Sequence, residues 1–344
     1  MKEVTVVIPN YNGMKYLPEC MASLCQGQEN APEYEVLIID NGSADGSVEY
    51  LDSEWCRKKE APAEEGGKPQ VRLIALPENT GFCHAVNLGI REARSSYVIL
   101  LNNDTRVEAG FVKGLYDAIR KDEKIFSVSA KMLMWDKPEL LDDAGDRYCV
   151  LGWAYSRGKG RPAVDYDKNV SIFSACGGAA IYRRQVFEEI GYFDEAHFAY
   201  LEDLDIGYRA RIYGYENRYE PTASVLHYGS ASTGSRYNSR KTELSSSNNI
   251  YVIGKNMPLL QWILNLPFFL LGFGIKFLFF CKNGKTIFKG IGRRVETYRG
   301  SCGKAGKGAL SMEPSMELCE DSVAIIPECF SNSYEILRNC FINS

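Results

Sequence analysis

The chain has 344 residues, 45% hydrophobic and 24% charged, with a formal net charge of −4. That length buries a large core and predicts one large domain with something extra. The near-neutral balance, with no basic helix or zinc spacing ahead of the C-terminal quarter, gives no support to nucleic-acid binding. Eleven cysteines, an odd number, stand as singles without a CxxC pair, which is the usage of a reducing compartment rather than of a disulfide framework. The opening "MKEVTVVIPN" enters a strand at once, with no apolar segment of signal-peptide length, so the main domain is expected in the cytoplasm.

Four short apolar runs predict strands: "VTVVIP" (4–9), "EVLIID" (35–40), "VRLIAL" (71–76) and "YVILL" (97–101). Between the first two, Leu17, Cys20, Met21 and Leu24 recur at helical spacing. Between the third and fourth, "GFCHAVNLGIREAR" (81–94) puts Phe82, Val86 and Ile90 on one face, and a further helix at 108–120 carries Phe111, Leu115, Ala118 and Ile119. Strands alternating with helices predict an α/β fold with a mostly parallel central sheet flanked by helices. "EAPAEEGGKPQ" (60–70) reads as a flexible surface insertion.

Such sheets bind ligands beyond the carboxyl ends of their strands. Here those ends are "PNYNG" (9–13), "DNGSADGS" (40–47), "PENTGF" (77–82) and "NNDT" (102–105), all rich in Asn, Asp or Gly. The last is the most informative, because Asp104 closes a strand apolar on both faces and a buried charge is costly without a partner. Two readings stand: a strand-end turn, which Asn and Asp favour, and a metal ligand. No GxGxxG follows the first strand and no GxxxxGK[ST] is present. A nucleotide pocket on this sheet would therefore lack a glycine-rich phosphate loop, and a divalent metal on Asp104 would meet the diphosphate charge.

"VTVVIPNYNGMKYLPECMASL", "EVLIIDNGSADGSVEYL", "NTGFCHAVNLGI", "YVILLNNDTRV", "SACGGAAIYRR", "GYFDEAHFAYLEDLDIGYRARIYGY" and "VLHYGSASTGS" together resemble the family 2 glycosyltransferases, within them the rhamnosyltransferase-like branch of bacterial polysaccharide assembly. The resemblance runs over about residues 3–257, in order and with compatible spacing. It implies a GT-A fold, a nucleotide-diphosphate sugar donor, a divalent metal (Mn²⁺ or Mg²⁺), inversion at the anomeric carbon, and a glycan or polyprenyl-linked saccharide acceptor. Along the chain it implies a catalytic domain over 1–255, with a nucleotide-binding half to about 120 and an acceptor and catalytic half over 121–255.

The family's DxD-like element matches "NND", which places Asn103 and Asp104 at the donor and Asp104 on the metal. One carboxylate is a weak site, and His227 in "SVLHYGS" matches the position of a metal-binding His in many relatives. Oxygen plus imidazole suits Mn²⁺ somewhat better than Mg²⁺. Pro9, Tyr11 and Asp40 match the nucleotide end, with Tyr11 placed to stack on the base and Asp40 to accept from the imide N–H of uracil or thymine. Asn79 and Gly81 lie on the third rim. Gly177 and Gly178, lacking Cβ, let backbone approach the sugar. In "YLEDLDIGYRARIYGY" (200–215), Leu204 and Tyr208 fit a helix closed by Gly214, with Glu202, Asp203 and Asp205 in its first turn. Acids there stabilise a helix, yet three in four positions exceed what a cap needs, and crowded carboxylates raise one another's pKa. In the resemblance the Glu-Asp pair ends with the base, which makes Asp203 the base and Glu202 its acceptor-orienting neighbour.

"NMPLLQWILNLPFFLLGFGI" (256–275) carries no charge and is interrupted by Pro258 and Pro267. Arg240, Lys241 and Lys255 precede it; Lys276, Lys282, Lys285, Lys289, Arg293 and Arg294 follow. A single span would leave one basic flank outside. A broken helix pair in the cytoplasmic leaflet satisfies both flanks, so 256–310 is expected to attach the enzyme peripherally to the inner face of the membrane. A helix covering the main domain is the alternative. The acidic tail, 311–344, has no functional reading. Two rival functions remain: an inactive glycan-binding or scaffold member, and a sugar nucleotidyltransferase, for which "PNYNG" offers no basic phosphate loop.

Overall fold

The four apolar runs become the parallel half of one large sheet in the computed structural model, which describes residues 2–25, 28–56, 69–229 and 239–279. β1 (Val4–Asn10), β2 (Tyr34–Asp40), β3 (Gln70–Ala75) and β4 (Tyr97–Leu101) lie side by side in the order β3-β2-β1-β4. β1 runs parallel to β2 from Val4↔Tyr34 to Asn10↔Asp40, and parallel to β4 from Val4↔Tyr97 to Val7↔Leu100. Asn10 and Asp40 therefore share one rung at the carboxyl edge.

Continuous apolar strands are what a sheet covered on both faces requires. Val4, Val6 and Ile8 enter one core with Leu17, Cys20, Met21 and Leu24 of α1 (Leu17–Cys25). Val7, Leu37 and Ile39 enter the other with Cys83, Val86 and Ile90 of the helix that precedes β4. A short α2 (Ser47–Leu51) follows β2, and that helix before β4 is α3 (Phe82–Glu92). The helix predicted over 108–120 is α4 (Phe111–Ile119), whose Phe111, Leu115 and Ile119 are fully buried.

Beyond β4 the sheet becomes mixed, which the four strands read from the sequence do not disclose. β5 (Thr105–Val107) is followed by the hairpin β6 (Ile125–Met134) and β7 (Lys137–Asp143). β8 (Asp146–Cys149) and β9 (Trp153–Ser156) form a separate ribbon, and β10 (Val170–Ile172), β11 (Ala179–Arg183) and β12 (Glu216–His227) complete the strands. The order continues β4-β11-β6-β12-β10, with β11 antiparallel to both neighbours. β5 pairs with the end of β12, setting Thr105 opposite His227. Two helices precede β12, α5 (Val186–Ile190) and α6 (Glu202–Ile212).

The chain divides into two compact units, Met1–Arg147 with Tyr155–Lys241, and Tyr148–Ala154 with Thr242–Ser344. The described part of the second carries most of α7 (Ser239–Asn256) and all of α8 (Leu259–Phe279). Within it Asn249 Nδ2 donates to the Gly152 carbonyl at 2.8 Å, and Gly272 lies against Leu151 and Trp153. Pro258 separates the two helices as predicted, but α8 continues through Pro267, where the sequence suggested a second break. Among the described residues no helix is long and apolar enough to cross a membrane. Residues 60–68 of the predicted insertion, the basic run from Lys282 to Arg294 and the tail 311–344 lie outside the described residues, as do the side chains of Arg240, Lys241 and Lys276.

α3 sits directly on β1 because residue 89 is glycine: a Cβ there would overlap Val7 Cγ1. Overpacking a buried contact of this kind typically costs about 1–3 kcal/mol. Gly89→Ala should lower the urea midpoint accordingly at unchanged m, and Gly89→Val should lower it further. An unchanged midpoint would mean that the helix is not seated on the strand as described.

Candidate functional site

The carboxyl edge of β1, β2 and β4 is stitched by amides. Asn10 is 1% exposed. Its Nδ2 donates to Asp40 Oδ2 at 2.7 Å, and its Oδ1 accepts from Asn103 Nδ2 at 2.7 Å. Asp40 Oδ1 accepts from the Ser43 N–H at 2.9 Å. Both Asp40 oxygens thus carry one bond each, with a second lone pair left on each. Asn41, buried beside it, donates to Gly81 O and Asn79 Oδ1 at 3.0 and 3.2 Å and accepts from the Thr80 N–H and hydroxyl, both at 2.9 Å. This clamp fixes the rim that carries Asn79 and Gly81. Gly81 has φ +93°, and a Cβ on it would meet the Phe198 ring, so only glycine serves there. Pro9 is half-buried beyond the last β1–β4 pair, and Tyr11 stands on the rim with 40% of its surface exposed. Asn10 and Asn41 are missed in the sequence reading, since a buried amide carries no periodic signal.

Asp104 lies in the turn between β4 and β5 and is 5% exposed. His227, 123 residues later, reaches it because β5 pairs with β12: His227 Nε2 is 3.3 Å from Asp104 Oδ1. The other ring nitrogen, Nδ1, is 2.7 Å from Asp142 Oδ2, and Lys159 Nζ donates to Asp142 Oδ1 at 2.6 Å. Burial alone would lower the His227 pKa; the bonds to Asp104 and Asp142 outweigh it and raise it to about 9. Burial would raise Asp142, but His227 and Lys159 hold its carboxyl well below the usual range. The next residue, Tyr228, donates its N–H to the Asp104 carbonyl at 3.0 Å. Its ring lies between Tyr16, at 4.5 Å between centroids, and Trp135, at 3.7 Å. The two groups that the sequence nominated for a metal are therefore adjacent, an oxygen and an imidazole nitrogen at the spacing of two ligands on one ion.

The turn at Gly177 and Gly178 joins this strand end to the acidic helix. Gly178 O accepts from the Asn102 N–H at 2.8 Å. The Gly177 N–H bonds the Asp203 carboxylate, whose Oδ1 also accepts from the Leu204 N–H at 2.8 Å. Glu202 is 8% exposed, and its Oε2 has no hydrogen-bond partner among the described residues. Burial pushes Glu202 up to about 8, with the Asp203 charge adding to it; burial raises Asp203 to about 6 against the pull of its two N–H donors. Both carboxyls accept backbone N–H bonds, but burial and the Asp203 charge raise Glu202 further, so near neutrality Asp203 carries the charge of the pair and Glu202 the proton. Asp143 and Asp146, which the sequence did not single out, crowd the same place. Burial raises both, and for Asp146 the charge of Asp203 adds to it.

The third acid of the helix does other work. Asp205 is fully buried and its Oδ2 holds Arg209 Nε and Nη2 at 3.0 and 2.8 Å. Arg209 also donates to the carbonyls of Gly191 and Tyr192. Asp194, His197 and Asp205 bring possible ligand atoms within 4.8 Å of one another. With a guanidinium already seated on Asp205, the cluster serves to tie the preceding loop to α6. That loop places Phe198, Tyr200 and Leu201 at φ of +60°, +71° and +64°, directly before Glu202. Burial raises the Cys176 thiol well above its ordinary value, with the charges of Asp143, Asp203 and Asp146 adding to it.

A glycosyl transferase family 2 model matches residues 5–191. The N-acetylglucosaminyl-diphospho-decaprenol L-rhamnosyltransferase of Mycobacterium tuberculosis is 29% identical over 257 residues, 67% of this chain and 77% of that one. Glycosyltransferase GlyG of Streptococcus pneumoniae is 24% identical over 57% of this chain and 61% of that protein. Among solved structures, GalNAc-T7 with UDP, GalNAc and Mn²⁺ superposes with a TM-score of 0.58 at 18% identity, over 74% of this chain and 48% of that chain. The mannosyltransferase PcManGT of Pyrobaculum calidifontis, in complex with GDP-Man and Mn²⁺, gives 0.52 at 15% identity, over 100% of this chain and 88% of that one. The fold is GT-A.

The burial of Glu202 has a measurable consequence. A carboxyl whose pKa is raised on folding, here from 4.5 to about 8, contributes most stability below pH 4.5 and loses it as pH rises to 8. Glu202→Gln, which cannot ionise, should melt higher than the wild type at pH 8–9, with the gap closing toward pH 4. A gap that is constant with pH would mean that Glu202 ionises normally in the folded chain.

Proposed function

Because the chain belongs to glycosyl transferase family 2 and is a glycosyltransferase, we propose that it is an inverting, divalent-metal-dependent enzyme moving a rhamnose-like sugar from a dTDP- or UDP-sugar to a hydroxyl of a growing, lipid-linked cell-surface glycan. One observation carries the mechanistic part: the Gly177–Gly178 turn holds the Asp203 carboxylate on one side and the Asn102 strand end, two residues from Asp104, on the other. Rhamnose and the lipid-linked acceptor are supported by the mycobacterial relative's name.

In this reading the Asp203 carboxylate takes the proton from the acceptor hydroxyl. The acceptor oxygen attacks the anomeric carbon from the face opposite the diphosphate. The new C–O bond forms as the sugar–phosphate C–O bond breaks, and the electron pair leaves with the diphosphate, which inverts the centre. Protonated Glu202 donates to the acceptor and orients it. Asp104 Oδ1 and His227 Nε2 would hold the ion, Mn²⁺ better than Mg²⁺. When bound, it supplies positive charge against the leaving diphosphate. At the nucleotide end Tyr11 stacks on the base and the free lone pairs of Asp40 accept from its imide N–H. Asn79, Gly81, Asn103 and the two glycines shape the walls.

We also propose peripheral attachment to the cytoplasmic face of the membrane through α8. That helix exposes Leu259, Leu260, Ile263, Leu264, Leu270 and Leu271, each more than half accessible. An apolar helix face too short to span suits the interface plane. Changing these five leucines and one isoleucine to Ser should abolish sedimentation with phosphatidylglycerol vesicles; sedimentation at the wild-type level would remove α8 as the anchor.

Asp203→Asn should lower transfer about 10²- to 10⁴-fold, the contribution of a positioned base, while nucleotide binding is retained. For the wild type, kcat/KM should rise with pH as Asp203 ionises near 6 and fall as Glu202 loses its proton near 8, both being properties of the coupled pair. Glu202→Gln should keep the acid limb near its wild-type position, since Glu202 is neutral there, and lose the alkaline one. Retained turnover in Asp203→Asn would sink the assignment. Nucleotide binding without turnover in the wild type would favour the inactive scaffold.

A further inference from the structure

We propose that Asp142 is a positioning residue for the metal centre: it fixes the His227 imidazole so that Nε2, lone pair outward, faces the ion beside Asp104. This inference rests on the metal reading given above. Three features of the fold carry it.

The first is the bond itself. Asp142 Oδ2 lies 2.7 Å from His227 Nδ1. Held as an anion, it accepts from that nitrogen and so keeps the proton on Nδ1. Nε2 faces Asp104 Oδ1 at 3.3 Å, and an ion bound beside Asp104 would take the Nε2 lone pair in place of that nitrogen's proton. A carboxylate on the far nitrogen orients a ligating imidazole and strengthens it as a donor.

The second is how the chain brings Asp142 there. In the β6–β7 hairpin Leu133 faces Leu141 and Met132 faces Asp143. Two steps along β7 match one step along β6, which leaves Asp142 as the extra residue of a β-bulge. A bulge re-aims a side chain at the cost of a ladder position. Leu141 and Asp143 on either side remain buried, at 0% and 3% exposure. The register shifts again beyond Leu133↔Leu141, where Met134 faces Lys137, so Asp142 lies at the first of two irregularities in this hairpin.

The third is the support behind Asp142. Lys159 holds its other oxygen at 2.6 Å and is itself 39% exposed. The groups run in line: Lys159 from the loop after β9, Asp142 from β7, His227 from β12 and Asp104 from the end of β4. His227 is fixed from its neighbours as well, since its carbonyl accepts from the Trp135 N–H at 3.0 Å and Tyr228 stacks on Trp135 with Tyr16 tilted against it. The main chain is thereby set, and the ring is held between Asp142 and Asp104.

The test is Mn²⁺ binding to the full-length protein without nucleotide, followed by loss of the free aqua-Mn²⁺ electron paramagnetic resonance signal. Electron spin-echo modulation then reads the ¹⁴N coupling of a coordinated imidazole, which a merely structural residue would not alter. Asp104→Ala and His227→Ala should each abolish tight binding, and His227→Ala should remove the ¹⁴N coupling. Asp142→Ala should weaken Mn²⁺ about 10- to 100-fold and lose or broaden the ¹⁴N coupling. Asp142→Asn, which keeps an acceptor oxygen without charge, should fall between, and Lys159→Met should weaken binding only a few-fold. If Asp142→Ala fails to fold by its melting curve, Asp142→Asn decides. Wild-type affinity and an unchanged ¹⁴N coupling in a folded Asp142 variant, with His227→Ala impaired, would overturn the positioning role alone. Wild-type binding in both Asp104→Ala and His227→Ala would overturn the metal centre and this inference with it.

Discussion

Three strand ends are buried together at the carboxyl edge of the sheet, and their polar groups have to satisfy one another. Asn10 stands at the centre of that requirement, giving its amide hydrogens to Asp40 and its oxygen to Asn103. It joins β2 and β1 at the last rung of their ladder to the end of β4, beyond the last β1–β4 pair. A buried amide or carboxylate without partners costs a few kcal/mol, so the arrangement is nearly all-or-none: each group is held because the others are. The donor rim, the position of Asp104 and the turn that follows all build outward from that row.

Electrostatics separates the two halves of the site. At the Asp104 end, a carboxylate and an imidazole face each other with a second carboxylate and a lysine behind, a charge-balanced line suited to receiving a cation. At the Asp203 end, four carboxyl groups (Asp143, Asp146, Glu202 and Asp203) meet in a place that burial alone makes unfavourable for charge. Asp203 receives N–H donors from the Gly177 turn and from its own helix, which oppose the rise that burial imposes on it. The same desolvation that brings a base toward neutral pKa destabilises the folded chain as pH rises, a cost commonly localised at functional sites.

The parts legible in the sequence are those governed by periodicity or by a local pattern. Strands buried on both faces write themselves as unbroken apolar runs, so β1, β2, β3 and β4 could be read to within a residue, and α1 and α3 from their helical spacing, whereas the short α2 was not read. The polar strand ends, Asp104, His227 and the Glu202–Asp203 pair were visible as motifs of a resemblance. What stayed hidden depends on contacts between distant residues. Asn10, Asn41, Asp142 and Asn217 are isolated polar residues whose role appears only when a partner many positions away is placed; Asn217, for instance, joins β12 to α6 by donating to the Phe173 and Gly207 carbonyls. β11 was hidden because its run of small residues reads equally as a ligand loop. Asp205, a motif acid with no role assigned from the sequence, holds Arg209.

The central claim is that Asp104 ends its strand in order to hold a metal against a nucleotide diphosphate. Thermal melting with UDP, dTDP, GDP and CDP, each with and without Mn²⁺, in the wild type and in Asp104→Ala, tests it most directly, because bound ligand raises apparent stability according to its occupancy. The account predicts Mn²⁺-dependent stabilisation by UDP or dTDP in the wild type and none in Asp104→Ala. Stabilisation by no nucleotide, or an equal shift in both proteins, would contradict it and return Asn102–Asp104 to a strand-end turn.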